Sequence, residues 1–258
     1  MRRTRTVAAV SLVIACIGGV TAPAANAHTK ARVQLSGDIT VFAAASLTEA
    51  FTAIAHDFTR AHPHVHVTFS FGASNVLASQ ITSGAPADVF ASASNATMEQ
   101  VVAAADVTKP TTFARNTMII VTPPDNPANV RSLHDLANPS VSVAVCQALV
   151  PCGVTARNVF AKSRIHLTPV TNEVDVKSVL TKVELGEVDA GVVYVTDAYS
   201  AGASVTSVAI PARWNSETSY PIAAVRSSTN PSVARAFIAF VRSATGQRRL
   251  AAVGFARA

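Results

Sequence analysis

The sequence has little charge and few long apolar runs, and it lacks common catalytic motifs. Charged residues make up only 14% of its 258 positions while apolar residues make up 49%, so neither disorder nor a nucleic-acid-binding tail is indicated. Outside residues 7–20, no apolar run approaches the roughly 20 residues that cross a bilayer. Neither the G-x-S-x-G of serine hydrolases nor the H-E-x-x-H of zinc proteases occurs. These absences favour a globular protein and argue against the common hydrolases.

The first 27 residues have the three parts of an export signal. MRRTRT is basic, residues 7–20 are apolar, and the segment closes with Ala-Asn-Ala at Ala27. In a second interpretation, residues 13–16 (VIAC) form the lipobox of a bacterial lipoprotein, and Cys16 becomes the lipidated N-terminus. We therefore expect an exported protein in the periplasm or at the outer face of the cytoplasmic membrane. Cleavage after Ala27 and a lipid anchor on Cys16 remain alternatives.

Beyond Cys16 the chain contains only Cys146 and Cys152. Outside the cytosol an even pair of cysteines favours a disulfide, which here would close the short loop QALVP. Two alternatives remain open. The residues could be two small buried thiols, or Cys152 could act with one of the seven histidines as the nucleophile of a secreted thiol enzyme.

Strand-like and helix-like patterns alternate from residue 38 onward, with no internal repeat and no low-complexity linker. They predict strands at 38–42, 65–71, 88–92, 117–122, 141–146, 190–195 and near 220–225. They predict helices from Ser46 to His62, from Val76 to Gly84, at 153–162, at 176–185 and, as a pair, after Pro231. Such alternation is typical of an α/β fold with a parallel sheet flanked by helices.

Two such series without a linker predict two lobes joined by crossing strands. Lobe I would comprise residues 38–118 and 217–258, and lobe II residues 119–216. Each lobe would be a mostly parallel sheet flanked by helices. The cleft between them, at the carboxyl ends of strands, is where such folds bind ligands.

Small residues occupy several strand-to-helix turns: AAAS at 43–46, FGAS at 71–74 and VPCG at 150–153, with NEVDV at 172–176 as a fourth turn. Helix N-termini that converge on one cleft would offer N–H donors and partial positive charge without a formal cation, which suits a small dianion. Local alternatives exist, because Ser46 and Glu49 fit a capping box and Ser74 fits an N-cap. Tyr194, in a strand expected to be buried, needs a partner for its hydroxyl in any case.

Several segments together carry a family resemblance: FAAASL at 42–47, FGAS followed by LASQI, GAPADVFASA at 84–93, VPCG, EVDVKSVL at 173–180 and GVVYVTDA at 191–198. In this order, over nearly the whole chain from Asp38, they resemble the molybdate-binding protein of bacterial ABC importers. The resemblance implies the two-lobed class II periplasmic-binding-protein fold. It implies a monomeric, non-enzymatic receptor without a cofactor that captures molybdate, or tungstate, and delivers it to a membrane permease with its ATPase.

The resemblance also implies the ligand contacts. Ser46 and Ser74 would give hydroxyl and N–H donors, Cys152 and Val176 backbone N–H groups, and Tyr194 its phenolic hydroxyl. The molybdenum of the bound oxyanion would be the only metal. Many relatives have alanine at the position of Cys152. A site made only of donors would reject protonated phosphate, which needs an acceptor. A receptor for sulfate or another tetrahedral oxyanion is the alternative.

Two other groups of polar residues need an explanation. The histidines of the segment HPHVH at 62–66 could hold a metal, but His64 and His66 would share the polar face of a strand, which favours a solvated surface. Glu173 and Asp175 lie next to Val176 and would repel a bound dianion. We therefore expect these carboxylates to point outward or to cap the helix.

Overall fold

The computed structural model describes residues 34–258, which form one compact unit. The predicted export signal, its cleavage after Ala27 and the lipid anchor on Cys16 lie outside the described residues. None of the helices in the described part has the length and apolar character needed to cross a bilayer.

Nine strands and eight α-helices are found in residues 34–258. The strands are β1 Ser36–Ala44, β2 His64–Gly72, β3 Val89–Ala91, β4 Thr111–Thr122, β5 Val143–Cys146, β6 Thr171–Glu173, β7 Ala190–Tyr194, β8 Thr206–Val208 and β9 Glu217–Ala224. The helices are α1 Thr48–Ala61, α2 Ser74–Thr82, α3 Asn95–Ala103, α4 Pro151–Ser163, α5 Val176–Glu184, α6 Val195–Ala201, α7 Pro231–Arg242 and α8 Ala244–Ala252. Short 3₁₀ turns lie at Ala45–Leu47, Leu133–Ala137 and Gly202–Ser204.

The strands follow the order β2-β1-β3-β9-β4-β7-β5-β6, and β8 pairs with β4. Within this order β2, β1 and β3 are parallel to one another, as are β7, β5 and β6. The middle of the order is antiparallel, because β9 runs against both β3 and β4, and β4 runs against β7. The α/β prediction is thus confirmed, with a mixed sheet in which β4 pairs through its first part with β9 and through its second part with β7.

Buried side chains form separate cores on the two parts of this sheet. The first core contains Ile39, Val41 and Ala43, which alternate along β1 and pack with α1, α7 and α8. Phe42 points to the opposite face of the same strand, where a smaller cluster covers it with residues of α2 and α3. The second core surrounds β5 and β7 and includes residues of α4 and α5. The boundaries of the two predicted lobes stay a prediction.

Most predicted elements are present within a few residues of their expected limits, but four short ones were not predicted. Helix α3 begins after Ser94, whose hydroxyl accepts the N–H of Thr97. Helix α6 follows β7 without a loop, so the predicted strand at 190–195 ends one residue earlier, at Tyr194. Strands β6 and β8 have only three residues each, too few for a clear alternation.

Candidate functional site

A small cavity lies at the carboxyl ends of β1, β2 and β7, between residues of the first and second cores. Its lining consists of Ala44, Ala45, Ser46, Gly72, Ala73, Ser74, Ala93, Val150, Pro151, Cys152, Asp175, Val176 and Tyr194. The cavity has a volume of about 20 Å³, and a single water needs about 10–15 Å³ on this measure. The lining includes all five predicted ligand residues. The volume of the cavity suits a single compact molecule.

Helix N-termini point backbone donors at this cavity. Helices α2, α4 and α5 begin at Ser74, Pro151 and Val176, all of which line it. Within residues 34–258, the backbone N–H groups of Ser74, Cys152 and Val176 have no protein acceptor. Unpaired N–H groups in the first turn of a helix carry the positive end of its dipole and bind anions.

Ser46 does not form the capping box that its sequence allows. It lies inside the 3₁₀ turn, α1 begins only at Thr48, and no side chain caps that helix. The Ser46 hydroxyl instead lies 2.8 Å from the hydroxyl of Tyr220 on β9. Glu49, the expected partner in the box, binds Lys177 Nζ at 2.6 Å. The capping-box interpretation was wrong because the Ser46 hydroxyl forms its hydrogen bond with a buried tyrosine that is distant in sequence.

The N-cap interpretation of Ser74 was also wrong. Ala73 occupies the cap position, and Ser74 is the first residue of α2. The Ser74 hydroxyl accepts a hydrogen bond of 3.0 Å from the backbone N–H of Ala93, which also lines the cavity. Since this bond uses only the oxygen of Ser74, its hydroxyl hydrogen stays available to a ligand.

Cys152 is fixed at the start of α4 by covalent and steric constraints. Its sulfur forms a disulfide with Cys146 at the end of β5, so Cys152 has no free thiol in this structure. The next residue, Gly153, lies so close to the loop that a Cβ there would be 1.9 Å from the carbonyl oxygen of Gln147. Only glycine allows this approach, which sets the position of the Cys152 N–H group.

The two carboxylates beside Val176 are both engaged by the protein. Asp175 caps α5, because its carboxylate accepts the N–H of Ser178 at 2.9 Å. Glu173 accepts a hydrogen bond of 2.7 Å from the hydroxyl of Thr171. The expectation that Asp175 caps the helix is therefore confirmed, and its negative charge is used at the helix dipole.

Tyr194 lies at the end of β7 and is only 1% exposed. Its hydroxyl has no hydrogen-bond partner among residues 34–258, although it lines the cavity. Burial raises the pKa of Tyr194 far above its usual value, so the group stays protonated and can donate a hydrogen bond. A buried phenol without a partner is unusual, which marks this hydroxyl as a candidate ligand donor.

Asp197 was not predicted from the sequence, and it contacts the backbone of Tyr194. It is completely buried in the first turn of α6, and its carboxylate accepts the Tyr194 N–H at 3.2 Å. Burial is the main cause that raises the pKa of Asp197 to about 7, while the ammonium of Lys177, 3.5 Å away, lowers it. The sequence signal for Asp197 was its place as the third residue of a helix that follows a buried strand, where an acidic side chain accepts the N–H of the cap residue.

The histidine segment lies away from the cavity. His64 and His66 are exposed on β2, which is at the edge of the sheet. Across residues 34–258, no three His, Cys, Asp or Glu side chains come together as a potential metal site. Their arrangement is that of a solvated strand face.

Comparisons with known proteins agree with this architecture. Residues 39–256 match the family described as bacterial extracellular solute-binding protein. The molybdate-binding protein ModA of Mycobacterium tuberculosis is 46% identical over 225 residues, which are 87% of this chain and 86% of the relative.

Two solved structures are similar in fold. The periplasmic molybdate-binding protein of Azotobacter vinelandii has a TM-score of 0.76 at 18% identity and covers 85% of this chain and 99% of its own. The sulfate-binding protein SubI of M. tuberculosis has a TM-score of 0.74 at 23% identity and covers 84% of this chain and 86% of its own. At these identities the likeness concerns the fold alone, and it confirms the predicted periplasmic-binding-protein fold.

Proposed function

The chain belongs to the bacterial extracellular solute-binding protein family, and we propose that it is the extracytoplasmic substrate-binding component of an ABC importer for molybdate. The relative with 46% identity is named a molybdate-binding protein. In this proposal the protein captures molybdate or tungstate between its two lobes. It then delivers the ion to a membrane permease that works with an ATPase, and it performs no chemistry on its ligand.

The observation that carries this proposal is a cavity of about 20 Å³ with many hydrogen-bond donors and no cationic side chain in its lining. The proposed contacts are hydroxyl and backbone N–H groups of Ser46 and Ser74, the backbone N–H groups of Cys152 and Val176, and the hydroxyl of Tyr194. A buried dianion needs donors on all sides to replace its lost water. Charge-assisted hydrogen bonds from neutral groups supply them without a salt bridge.

This arrangement accounts for selectivity against larger and protonated ligands. The small cavity suits a compact ion better than a sugar or an amino acid, which need more space. Hydrogen phosphate carries a proton that needs an acceptor, and none of the five proposed contacts is one, so one buried group stays unpaired. The carboxylate of Asp175, which also lines the cavity, is already engaged by Ser178 as the cap of α5. Tungstate has nearly the same shape and charge as molybdate and is expected to bind as well.

The test is the thermal unfolding of the exported, ligand-stripped protein with molybdate, tungstate, sulfate, phosphate or buffer. A ligand at one hundred times its Kd stabilises the folded state by about 2.7 kcal/mol, which is a clear shift in Tm. We expect shifts with molybdate and tungstate. A shift with sulfate and none with molybdate would replace the proposal with a sulfate receptor, and no shift with any oxyanion would overturn it.

Export and anchoring form part of the same proposal. The N-terminal segment would either be cleaved after Ala27 or be processed so that Cys16 carries lipid. The mass of the exported protein distinguishes the two products, because the second begins at Cys16 and includes an acylated cysteine. An unprocessed protein that retains residues 1–15 and is recovered from the cytosol would contradict the extracytoplasmic location.

A further inference from the structure

Tyr220 lies directly behind the candidate site and takes no part in its lining. Its side chain is fully buried on β9. Its ring makes edge contacts with Phe255 at 5.1 Å, Tyr194 at 6.1 Å and Phe113 at 6.3 Å between ring centroids. The Tyr220 hydroxyl emerges from this aromatic cluster and lies 2.8 Å from Ser46 Oγ.

The direction of this hydrogen bond follows from the available acceptors. A buried phenol hydrogen needs an acceptor, since leaving it unpaired is unfavourable. Within residues 34–258, Ser46 Oγ is the acceptor that lies within hydrogen-bond distance of the Tyr220 hydroxyl. If Ser46 donated instead, the Tyr220 hydrogen would be left among aromatic rings. The 2.8 Å contact itself allows either direction, and the burial of the phenol favours Tyr220 as the donor and Ser46 as the acceptor.

Burial keeps the hydrogen on the Tyr220 hydroxyl. It is the main cause that raises the pKa of Tyr220 well above its usual value, so this group stays protonated and has a hydrogen to donate.

We propose that Tyr220 is a positioning residue that donates its hydrogen bond to Ser46 Oγ, so that the Ser46 hydroxyl hydrogen remains for the bound oxyanion. The resulting chain runs from the Tyr220 hydroxyl to Ser46 Oγ and from the Ser46 hydrogen to the anion. Hydrogen bonds in such a chain polarise one another, so the first bond strengthens the second. This inference rests on the proposed oxyanion site and assigns a role to a residue that does not touch the ligand.

The chain contains only three tyrosines, Tyr194, Tyr199 and Tyr220, and each has a different expected role. Tyr194 lines the cavity, Tyr220 lies behind Ser46, and Tyr199 is 63% exposed on α6. Tyr220→Phe keeps the aromatic packing and removes only the hydroxyl. Tyr199→Phe makes the same chemical change at the surface and serves as the matched control.

The first experiment is a double-mutant cycle measured by molybdate titration calorimetry. Tyr220→Phe should weaken molybdate binding about fivefold, the effect of one neutral hydrogen bond, and Tyr199→Phe should leave the Kd unchanged. In the Ser46→Ala background, Tyr220→Phe should change the Kd by less than about twofold, because the residue acts through Ser46. An equal loss in both backgrounds would overturn the proposal, as would no loss in either.

The second experiment does not require the Tyr220 variant to fold. Tyrosine labelled with ¹³C at Cζ gives one signal for each of the three residues, and molybdate is then added. We expect the Tyr194 and Tyr220 signals to shift and the Tyr199 signal to stay in place. In Ser46→Ala, the shift of the Tyr220 signal should disappear while that of Tyr194 remains. A Tyr220 shift that persists without the Ser46 hydroxyl would refute the proposed chain.

These outcomes separate the inference from the proposed function. If wild-type protein does not bind molybdate, the proposed function fails, and the cycle has no ligand to report. If wild-type protein binds molybdate and the Tyr220 effect is additive, the proposed function survives and the role of Tyr220 is rejected.

Discussion

The two sides of the cavity present donors of different kinds. On the serine side, formed by Ser46 and Ser74, hydroxyl groups are held by single hydrogen bonds to Tyr220 and Ala93. On the amide side, formed by Cys152 and Val176, the donors are backbone N–H groups whose positions are set by a disulfide, a glycine contact and a helix cap. The serine side therefore depends on residue identity, and the amide side depends on backbone geometry.

Ser74→Ala tests the serine side and should have the largest effect. It removes a proposed donor to a dianion, which is worth about 1.5–3 kcal/mol, or roughly tenfold to a hundredfold in the molybdate Kd. It also leaves the buried Ala93 N–H without its acceptor, which should lower the free energy of unfolding by about 1–3 kcal/mol. Calorimetry and urea unfolding measure the two losses.

Ser79→Ala is the matched control, because Ser79 is exposed on the same helix and donates only to the carbonyl of Asn75. It should leave the molybdate Kd unchanged. A Ser74→Ala protein that binds molybdate as tightly as this control would show that the serine side contributes no side-chain donor.

Gly153→Ala tests the geometry of the amide side. The added Cβ would lie 1.9 Å from the carbonyl oxygen of Gln147, so the loop or α4 must move. We expect a loss of about 1–3 kcal/mol in the free energy of unfolding, as for other overpacked sites. Molybdate binding should weaken as well, because the Cys152 N–H moves with the helix.

Gly72→Ala provides the steric control for this change. Its Cβ would be 3.9 Å from the nearest atom, on Leu77, and its free energy of unfolding should fall by much less than that of Gly153→Ala. Equal stability of the two variants would mean that the close approach at Gly153 imposes no constraint.

Replacement of both Cys146 and Cys152 by alanine should affect stability more than binding. The disulfide spans a sequence separation of 6, and closing so short a loop is worth about 2 kcal/mol by the chain-entropy relation. The Cys152 N–H remains in the variant, so we expect the molybdate Kd to change less than about threefold. A loss as large as that of Ser74→Ala would indicate that the sulfur atoms take part in binding.

Glu49→Gln should have the smallest effect, and it tests the ion pair that joins α1, next to Ser46, to α5, which begins at Val176. Glu49 on α1 and Lys177 on α5 form an ion pair of 2.6 Å that is partly exposed. Such pairs contribute about 0.2–1 kcal/mol, and salt screens them. We expect molybdate binding to weaken by less than about fivefold at low salt, with the difference lost at high salt.

The control for Glu49→Gln is Glu187→Gln, since Glu187 pairs with Lys182 of α5 and this ion pair does not involve α1. It should leave molybdate binding unchanged at any salt concentration. A change of equal size in both variants would point to a general effect of net charge.

Much of the fold was predictable because its long elements have clear periodicity. Strand β2 alternates Val65, Val67, Phe69 and Phe71, and α1 places Phe51, Ile54 and Phe58 on one buried face. The missed elements are short or weakly patterned. Helix α3 buries only Thr97, Met98 and Val101, and three-residue strands depend on their neighbours in the sheet more than on their own sequence.

The candidate site was predictable only in part, for a related reason. Small residues at strand-to-helix turns are a local signal, which pointed to the turns at 43–46, 71–74 and 150–153. The choice of Cys152, Val176 and Tyr194 as ligand contacts came from the family resemblance. Tyr220 was missed because it lies 174 positions from Ser46. Asp197 was missed because only its complete burial gives it an unusual pKa.

By itself the sequence determined the long strands and helices and the small residues at several strand-to-helix turns. These properties depend on side-chain size and on contacts between near neighbours. The tertiary structure decided what each polar group does. Ser46 had a partner for a local capping box, yet it faces Tyr220, and Glu49 faces Lys177. Burial of the Tyr220 hydroxyl requires an acceptor that only the folded chain brings near.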